Sequence, residues 1–310
     1  MFEGKQSRRH RDVRLGQLYL QGWLHRPRCA RALRGADTFV QFVGFPRSGH
    51  SLLGSILDAH RQALVAHELD AMGLFEKGLS APLVFSLIHA NSVAFSRHGR
   101  YWNGFSYQMP GQHNGACEHL RVIGDKKGDW AVRWFAADPA LLERVWRQVK
   151  LACKWILVVR HPLDNIATMS LRRGGHYDRL RIATPDGAAF REALAQRQGT
   201  DIAAQALDSM IDDYRSLCDA TEAMKARIDP GDWHEIHYER FSQNPVAGIN
   251  ELLAFLDLPA DPDFLNACAA TVHRSTHQSR RQVAWTDHKL ARVEEMIDGF
   301  SFLQRYRDQS

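Results

Sequence analysis

Residues 44–51 read Gly-Phe-Pro-Arg-Ser-Gly-His-Ser, the spacing of a phosphate-cradling loop G-x-x-x-x-G-K-[ST] with His50 at the lysine position. Residues 38–45 read as a buried strand, and Leu52, Leu53, Ile56 and Leu57 recur at helical spacing. The loop therefore joins a strand to a helix. Main-chain N–H groups in such a turn, and the positive end of the helix dipole, make a site for an anion. Arg47 and the hydroxyls of Ser48 and Ser51 add donors. The lysine that reaches the β- and γ-phosphates of a nucleoside triphosphate is missing. A later strand, residues 154–159, ends in Arg160, a cation where a magnesium-binding carboxylate would be wanted. The loop is suited to an anion held without a metal.

Arg160 is followed eight residues later by Thr168, about two helical turns on, behind Pro162 at a helix start. The carboxyl edge of a parallel sheet is where ligands bind. A guanidinium fork with a hydroxyl suits a phosphate monoester. Together with the loop at 44–51 it makes a second phosphate site on the same edge. Two segments break the surrounding periodicity: 98–117, rich in glycine, aromatics and amides, and 172–186, rich in glycine and arginine. Long loops of this kind are uncommon unless they serve a function. Trp102, Phe105, Tyr107 and His113 are either a stacking wall for a sugar or aromatic ring or a packed lid. His176 and Tyr177 stand in the same position.

The elements that must carry these residues alternate. A helix over 139–150 precedes the strand at 154–159, and another opens at Pro162. An amphipathic pattern runs over 201–227, a strand over 233–238, a helix over 245–256, and a helical tail from Asp287. Alternation of this sort predicts an α/β fold with a mostly parallel central sheet between two helical layers. The chain has 310 residues, enough for one large core without a metal or disulfide staple. Residues 1–37 read as a basic N-terminal extension, densest at 7–14 and at Arg26, Arg28, Arg31 and Arg34; 38–310 read as one domain. At 45% hydrophobic and 24% charged the composition excludes a disordered, collagen-like or disulfide-scaffold chain. No apolar run approaches the ~20 residues of a membrane span, and no apolar segment follows the basic start. Five scattered cysteines, none in a CxxC pair, imply neither a zinc site nor a disulfide framework. A reduced, cytoplasmic protein is expected. Forty Lys and Arg against 35 Asp and Glu leave a net charge of +5. That suits an anionic small molecule. Nucleic acid is not expected as a partner, since only the basic arm would support it.

With these residues in view, the chain resembles the sulfotransferases that use 3′-phosphoadenosine-5′-phosphosulfate. Phe45-Pro-Arg-Ser-Gly-His-Ser-Leu-Leu53 is similar to their 5′-phosphosulfate loop. The likeness continues through Leu57-Asp58-Ala59-His60, nearest in pattern to the tyrosylprotein and Golgi carbohydrate branches. Val158-Val-Arg-His-Pro-Leu-Asp-Asn-Ile-Ala-Thr168 resembles the 3′-phosphate segment. Tyr238-Glu239-Arg-Phe, with Pro245 and the run to Leu258, resembles a third block. The chain departs from the pattern at His50, usually Thr, and at Thr168, usually Ser. The glycine-rich C-terminal segment of the cytosolic branch is not evident; Arg280 and Arg281 with Trp285 are candidates for its work on the 3′-phosphate.

The resemblance implies a P-loop-like sulfotransferase fold and transfer of a sulfuryl group to a hydroxyl or amine of a small-molecule, carbohydrate or peptide acceptor. It implies that Arg47, Ser48, Gly49, His50, Ser51, Arg160, Thr168 and Tyr238 hold the donor, with adenosine 3′,5′-bisphosphate as product and no metal. It assigns Glu68 as the general base, with His67 as rival. It assigns Lys126, or alternatively Lys127, to the bridging oxygen or sulfuryl group. His67, Trp102, Tyr107, His113 and His176 are candidates for the acceptor. A nucleotide kinase and a non-catalytic nucleotide-binding protein are the competing readings.

Overall fold

In chain order β1 (Thr38–Gly44) leads into α1 (His50–Asp58), then β2 (Ala63–Ala66), α2 (Ala71–Glu76) and α3 (Ala81–Arg97). A hairpin of β3 (Tyr101–Trp102) and β4 (Phe105–Ser106) precedes β5 (Val122–Asp125), α4 (Gly128–Ala137) and α5 (Leu141–Val149). After β6 (Ala152–Val159) come α6 (Pro162–Arg173), α7 (Asp208–Lys225) and β7 (Trp233–His237). Four helices follow: α8 (Tyr238–Gln243), α9 (Pro245–Phe255), α10 (Pro262–Ala269) and α11 (Asp287–Gly299). The computed structural model describes residues 32–102, 105–117, 119–176 and 204–307, with Leu20, Trp23 and Leu24. The basic segment at 7–14, Tyr177 and the remainder of the 172–186 loop beyond His176 lie outside the described residues.

The main sheet is five-stranded and parallel throughout, in the order β2-β5-β1-β6-β7. Its strands alternate between two cores. Phe39 and Val43 of β1 face one side with Trp155, Leu157 and Val159 of β6. Val40 and Phe42 face the other with Ile156 and Val158. Both faces are thus covered, which is why these strands read as unbroken apolar runs rather than alternating ones. The segment at 98–117 is not the plain loop that its composition suggested: it carries the two-residue hairpin β3–β4, with Trp102 paired to Phe105.

The chain order reverses on the two sides of β1. From β1 it runs outward through β2 and back to β5, then crosses to β6 and β7. A sheet that switches direction in this way opens a crevice at the carboxyl ends of its central strands. Every strand of the sheet delivers its chemistry there in the residues just past its end: 45–51 after β1, His67 and Glu68 after β2, Lys126 after β5, Arg160 after β6 and Tyr238 after β7. Among the described residues no helix is long and apolar enough to cross a membrane.

Candidate active site

The loop at 44–51 is a backbone device. Gly44 and Gly49 have φ of 110° and 112°, and Arg47, a non-glycine residue, has φ 72°. Gly49 has a second reason to lack a side chain: a Cβ there would lie 2.4 Å from the Tyr238 ring. The loop is stitched to its own strand. Ser48 Oγ donates to the Phe45 carbonyl at 2.8 Å, and His50 Nε2 donates to the Val43 carbonyl at 3.0 Å. Burial, with Lys126 adding to it, lowers the His50 pKa to about 4, so the ring is neutral. The loop is stitched to α6 as well: Asn165 Nδ2 donates to the Pro46 carbonyl at 2.8 Å. The first N–H groups of an α-helix have no acceptor within their own helix, and those at the start of α1 follow the loop directly.

Arg160 faces the same mouth. Its Nη1 lies 3.4 Å from the Arg47 carbonyl and 3.4 Å from Thr168 Oγ1, and its Nη2 bonds the His277 carbonyl. Thr168 Oγ1 in turn lies 2.8 Å from the Asp164 carbonyl and 2.9 Å from Ser279 Oγ. Arg160 Nε is buried and has no partner. A buried donor left so costs free energy, and an anion would supply the missing acceptor.

A second constellation sits between β2 and β5. Glu68, in the left-handed region at φ 60°, is ion-paired to both Lys126 and Lys127. Lys126 Nζ also donates to Ser51 Oγ at 2.9 Å, which ties this group to the loop. Burial alone would raise the Glu68 pKa; the two lysines outweigh it and bring it down to about 2. Burial holds Lys126, only 3% exposed, below the usual lysine range although Glu68 pulls it up. For Lys127 burial acts in the same sense, but Glu68 wins and its pKa is raised. Behind them Asp125 is fully buried and accepts the Ala71 N–H at 2.8 Å. Burial, reinforced by Asp70 and Glu68, pushes its carboxyl up to about 7.

One cavity of about 920 Å³ joins the two constellations. Its wall takes in Arg47, Gly49, His50, Ser51, Glu68, Trp102, Tyr107, Lys126, Arg160, Thr168 and Tyr238 from the sequence-predicted set. Several expected side chains go elsewhere. The Ser48 hydroxyl is spent on the Phe45 carbonyl within the loop and the His50 ring on the Val43 carbonyl of β1, so these residues offer the loop only their backbone. His67 is stacked on Phe95, centroids 4.0 Å apart, with Trp102 against its edge. Burial drops its pKa to about 3, and its ring does not line the cavity. His113 and His176 are also absent from the wall. Arg280 turns to Asp164, its N–H bonded at 2.8 Å and its guanidinium 3.9 Å from the carboxylate; Arg281 is exposed. Neither lines the cavity, because the short helix that carries them presents Ser279 inward instead.

Three contributors escaped the sequence reading. Ser279 and the His277 carbonyl complete the surroundings of Arg160, and Asn165 pins the loop. Asn165 lies within the segment already singled out at 158–168, but a lone amide carries no signal of its own. Ser279 was marked only by standing next to Arg280.

Residues 152–262 match the model of the sulfotransferase family. No curated protein matches the chain. Among solved structures it is similar to the sulfotransferase domain of the Synechococcus PCC 7002 olefin synthase, at 14% identity and TM-score 0.47, over 86% of this chain and 94% of that one. It is similar also to sulfotransferase STF9 from Mycobacterium avium, at 11% identity and TM-score 0.48, over 93% and 83%. Mouse sulfotransferase SULT7A1, solved with PAP, aligns at 14% identity and TM-score 0.40, over 89% and 90%. The matched span includes Arg160, Thr168 and Tyr238, which line the same cavity as the loop at 44–51, so this part of the chain is similar to the sulfotransferase family.

Proposed function

We propose that this protein is a sulfotransferase that draws its sulfuryl group from 3′-phosphoadenosine-5′-phosphosulfate and passes it to a hydroxyl or amine of a small-molecule, carbohydrate or peptide acceptor. The observation that supports this most is that the loop at 46–51, Arg160 with Thr168, and the Glu68–Lys126 pair line a single cavity. The loop at 46–51 takes the 5′-phosphosulfate on its amides and Arg47. Arg160 and Thr168, with Ser279, take the 3′-phosphate; the partnerless Arg160 Nε fits an additional acceptor there. No triphosphate-binding lysine and no metal-binding carboxylate stand in these positions, which favours this donor over ATP.

Glu68 is the general base. It sits beside Lys126, next to the loop end that bears Ser51. A carboxylate held near pKa 2 by two lysines is always ionised at neutral pH, but it is a weak base. Arrival of the anionic donor gives Lys126 a competing partner. That loosens its hold on Glu68 and restores basicity when the acceptor is in place. The acceptor oxygen then forms a bond to sulfur as the bond from sulfur to the 5′-phosphate oxygen breaks. The electron pair leaves with adenosine 3′,5′-bisphosphate, and the acceptor proton goes to Glu68. Arg47, the loop amides and Lys126 stabilise the charge that grows on the leaving oxygen; one such donor is typically worth ~10²–10³ in rate.

Thermal stabilisation separates the readings. Adenosine 3′,5′-bisphosphate should raise the Tm far more than ATP with Mg²⁺. Preferential stabilisation by ATP–Mg²⁺ would turn the assignment toward a kinase. Transfer from a labelled donor across phenol, sugar, amine and peptide acceptors then identifies the acceptor class. Binding of the bisphosphate with no transfer to any class would mark a non-catalytic nucleotide-binding protein.

A further inference from the structure

The segment between α3 and β5 is held with unusual firmness for a surface strap. Arg100 is 1% exposed, and its Nη1 is bonded at 2.8 Å to Asp58, which is fully buried. Asp58 is the last residue of α1 and also accepts from Ser92 Oγ and the Val65 N–H, each at 2.8 Å. Farther along, the Asn114 carboxamide accepts the Met109 N–H at 2.9 Å and donates to the Met109 carbonyl at 2.7 Å. The His113 N–H bonds the Ala59 carbonyl at 3.1 Å. Between these two fastenings lies Tyr107, its own N–H bonded to the Arg100 carbonyl at 3.0 Å. Helix α1 therefore acts as a ruler. Its first turn presents Ser51, and its last turn fixes the strap that brings Tyr107 back over Ser51.

The hydroxyls form a directed chain. An ammonium has donors only, so in the Lys126–Ser51 contact Ser51 Oγ must accept. Its own proton is then available to Tyr107, whose phenol hydrogen-bonds Ser51. The Tyr107 oxygen accepts that proton and keeps its own for a third partner. Burial pushes the phenol up to about 12, so it retains that proton throughout the working pH range. Arg47 and Glu68 are both near enough to act on it, and its ring lines the cavity. The donor proposed above would bring its sulfuryl group to the space that Ser51, Lys126 and Glu68 border.

From this geometry we infer that Tyr107 is a further catalytic residue, whose phenol donates a hydrogen bond to a non-bridging oxygen of the sulfuryl group. The inference rests on the donor proposed above. It gives the strap a role other than a stacking wall for the acceptor. Tyr107 exchanges no proton in the reaction. It holds the sulfuryl oxygens in line while the bond to the 5′-phosphate breaks, and Glu68 receives the acceptor proton.

The test compares two nucleotides that differ only in the sulfuryl group. Dissociation constants for adenosine 3′,5′-bisphosphate and for 3′-phosphoadenosine-5′-phosphosulfate are measured by calorimetry on wild type and on Tyr107→Phe, with no acceptor present. The variant should keep its Tm and bind the bisphosphate within about twofold of wild type. Its affinity for the phosphosulfate should fall about tenfold, the loss expected for one hydrogen bond to a charged group. Tyr101→Phe, on the same strap but exposed and outside the cavity wall, should leave both constants unchanged. Equal losses for the two nucleotides in Tyr107→Phe would make the tyrosine a support of the loop, and no loss in either would remove it from the site; each overturns the inference. Wild type that binds neither nucleotide refutes the donor assignment, and the role of Tyr107 goes with it.

Discussion

Arg160 Nη1 lies 3.4 Å from the carbonyl oxygen of Arg47, a contact between residues 113 positions apart in the chain. It brings the loop at 44–51 and the end of β6 to one mouth. The loop after β1 and the strand end of β6 are neighbours because these strands are paired along their whole length, Thr38 with Ala152 through Gly44 with Val158. Loss of the Arg160 side chain should therefore act on the nucleotide before it acts on the reaction. Arg160→Ala should weaken adenosine 3′,5′-bisphosphate by about tenfold to a hundredfold, the loss of one or two charge-assisted hydrogen bonds. Calorimetry checks this, and unchanged affinity would refute the 3′-phosphate assignment.

Glu68→Gln keeps the size of the side chain and its acceptor oxygen but removes the charge that Lys126 and Lys127 share. Transfer should fall about 10²–10⁴-fold, the range for a lost general base. Affinity for the bisphosphate should stay within a few-fold of wild type. Turnover near the wild-type rate in a steady-state assay would take the base role from Glu68.

At Gly49 two separate penalties meet. An alanine there would have φ near 112° and a Cβ 2.4 Å from the Tyr238 ring. Strain of this kind costs about 1–3 kcal/mol for the backbone alone. Gly49→Ala should lower the Tm and abolish stabilisation by the bisphosphate. Adding Tyr238→Ala removes the clash but not the backbone strain, so the double variant should regain part of the Tm and no more. Full recovery would mean that the φ requirement is not real.

The Asp125 carboxyl gives a pH signature of its own. Its pKa is pushed from an ordinary 3.8 up to about 7 in the folded chain. Between those values the folded chain holds a proton that the unfolded chain has released. Stability contributed by this group is therefore full below about pH 4, falls as pH rises toward 7, and is level above. Asp125→Asn stays neutral at every pH, and its amide oxygen still accepts the Ala71 N–H. Its Tm advantage over wild type should widen from pH 4 to 7, reach a few degrees and then stay constant. A difference independent of pH would show that Asp125 is ionised when folded.

Much of the cavity wall was readable from the chain because its signals are local. The loop at 44–51 announces itself through glycine spacing between an apolar strand and a helical period, and Arg160 through its place at the end of another apolar run. Thr168 follows from helical pitch. Each depends on residues within two or three turns of one another, so order along the chain carries the information. Glu68 and Lys126 were marked by resemblance only. The chain reads neither as special, since what makes them a pair is the placement of β2 beside β5.

What the tertiary structure decided is where each polar group spends its hydrogen bonds. His50 and Ser48 look like ligand donors in the loop, yet the main-chain carbonyls of Val43 and Phe45 claim their side chains. His67, adjacent to Glu68, is taken into an aromatic stack by Phe95 and Trp102. Arg280 is drawn to Asp164, while Ser279 beside it, without any pattern to mark it, meets Thr168. A side chain's type sets what it is able to bind. Its partner is chosen by the nearest unsatisfied group once the backbone is in place, and for most of these residues that group comes from a strand or helix far away in the chain.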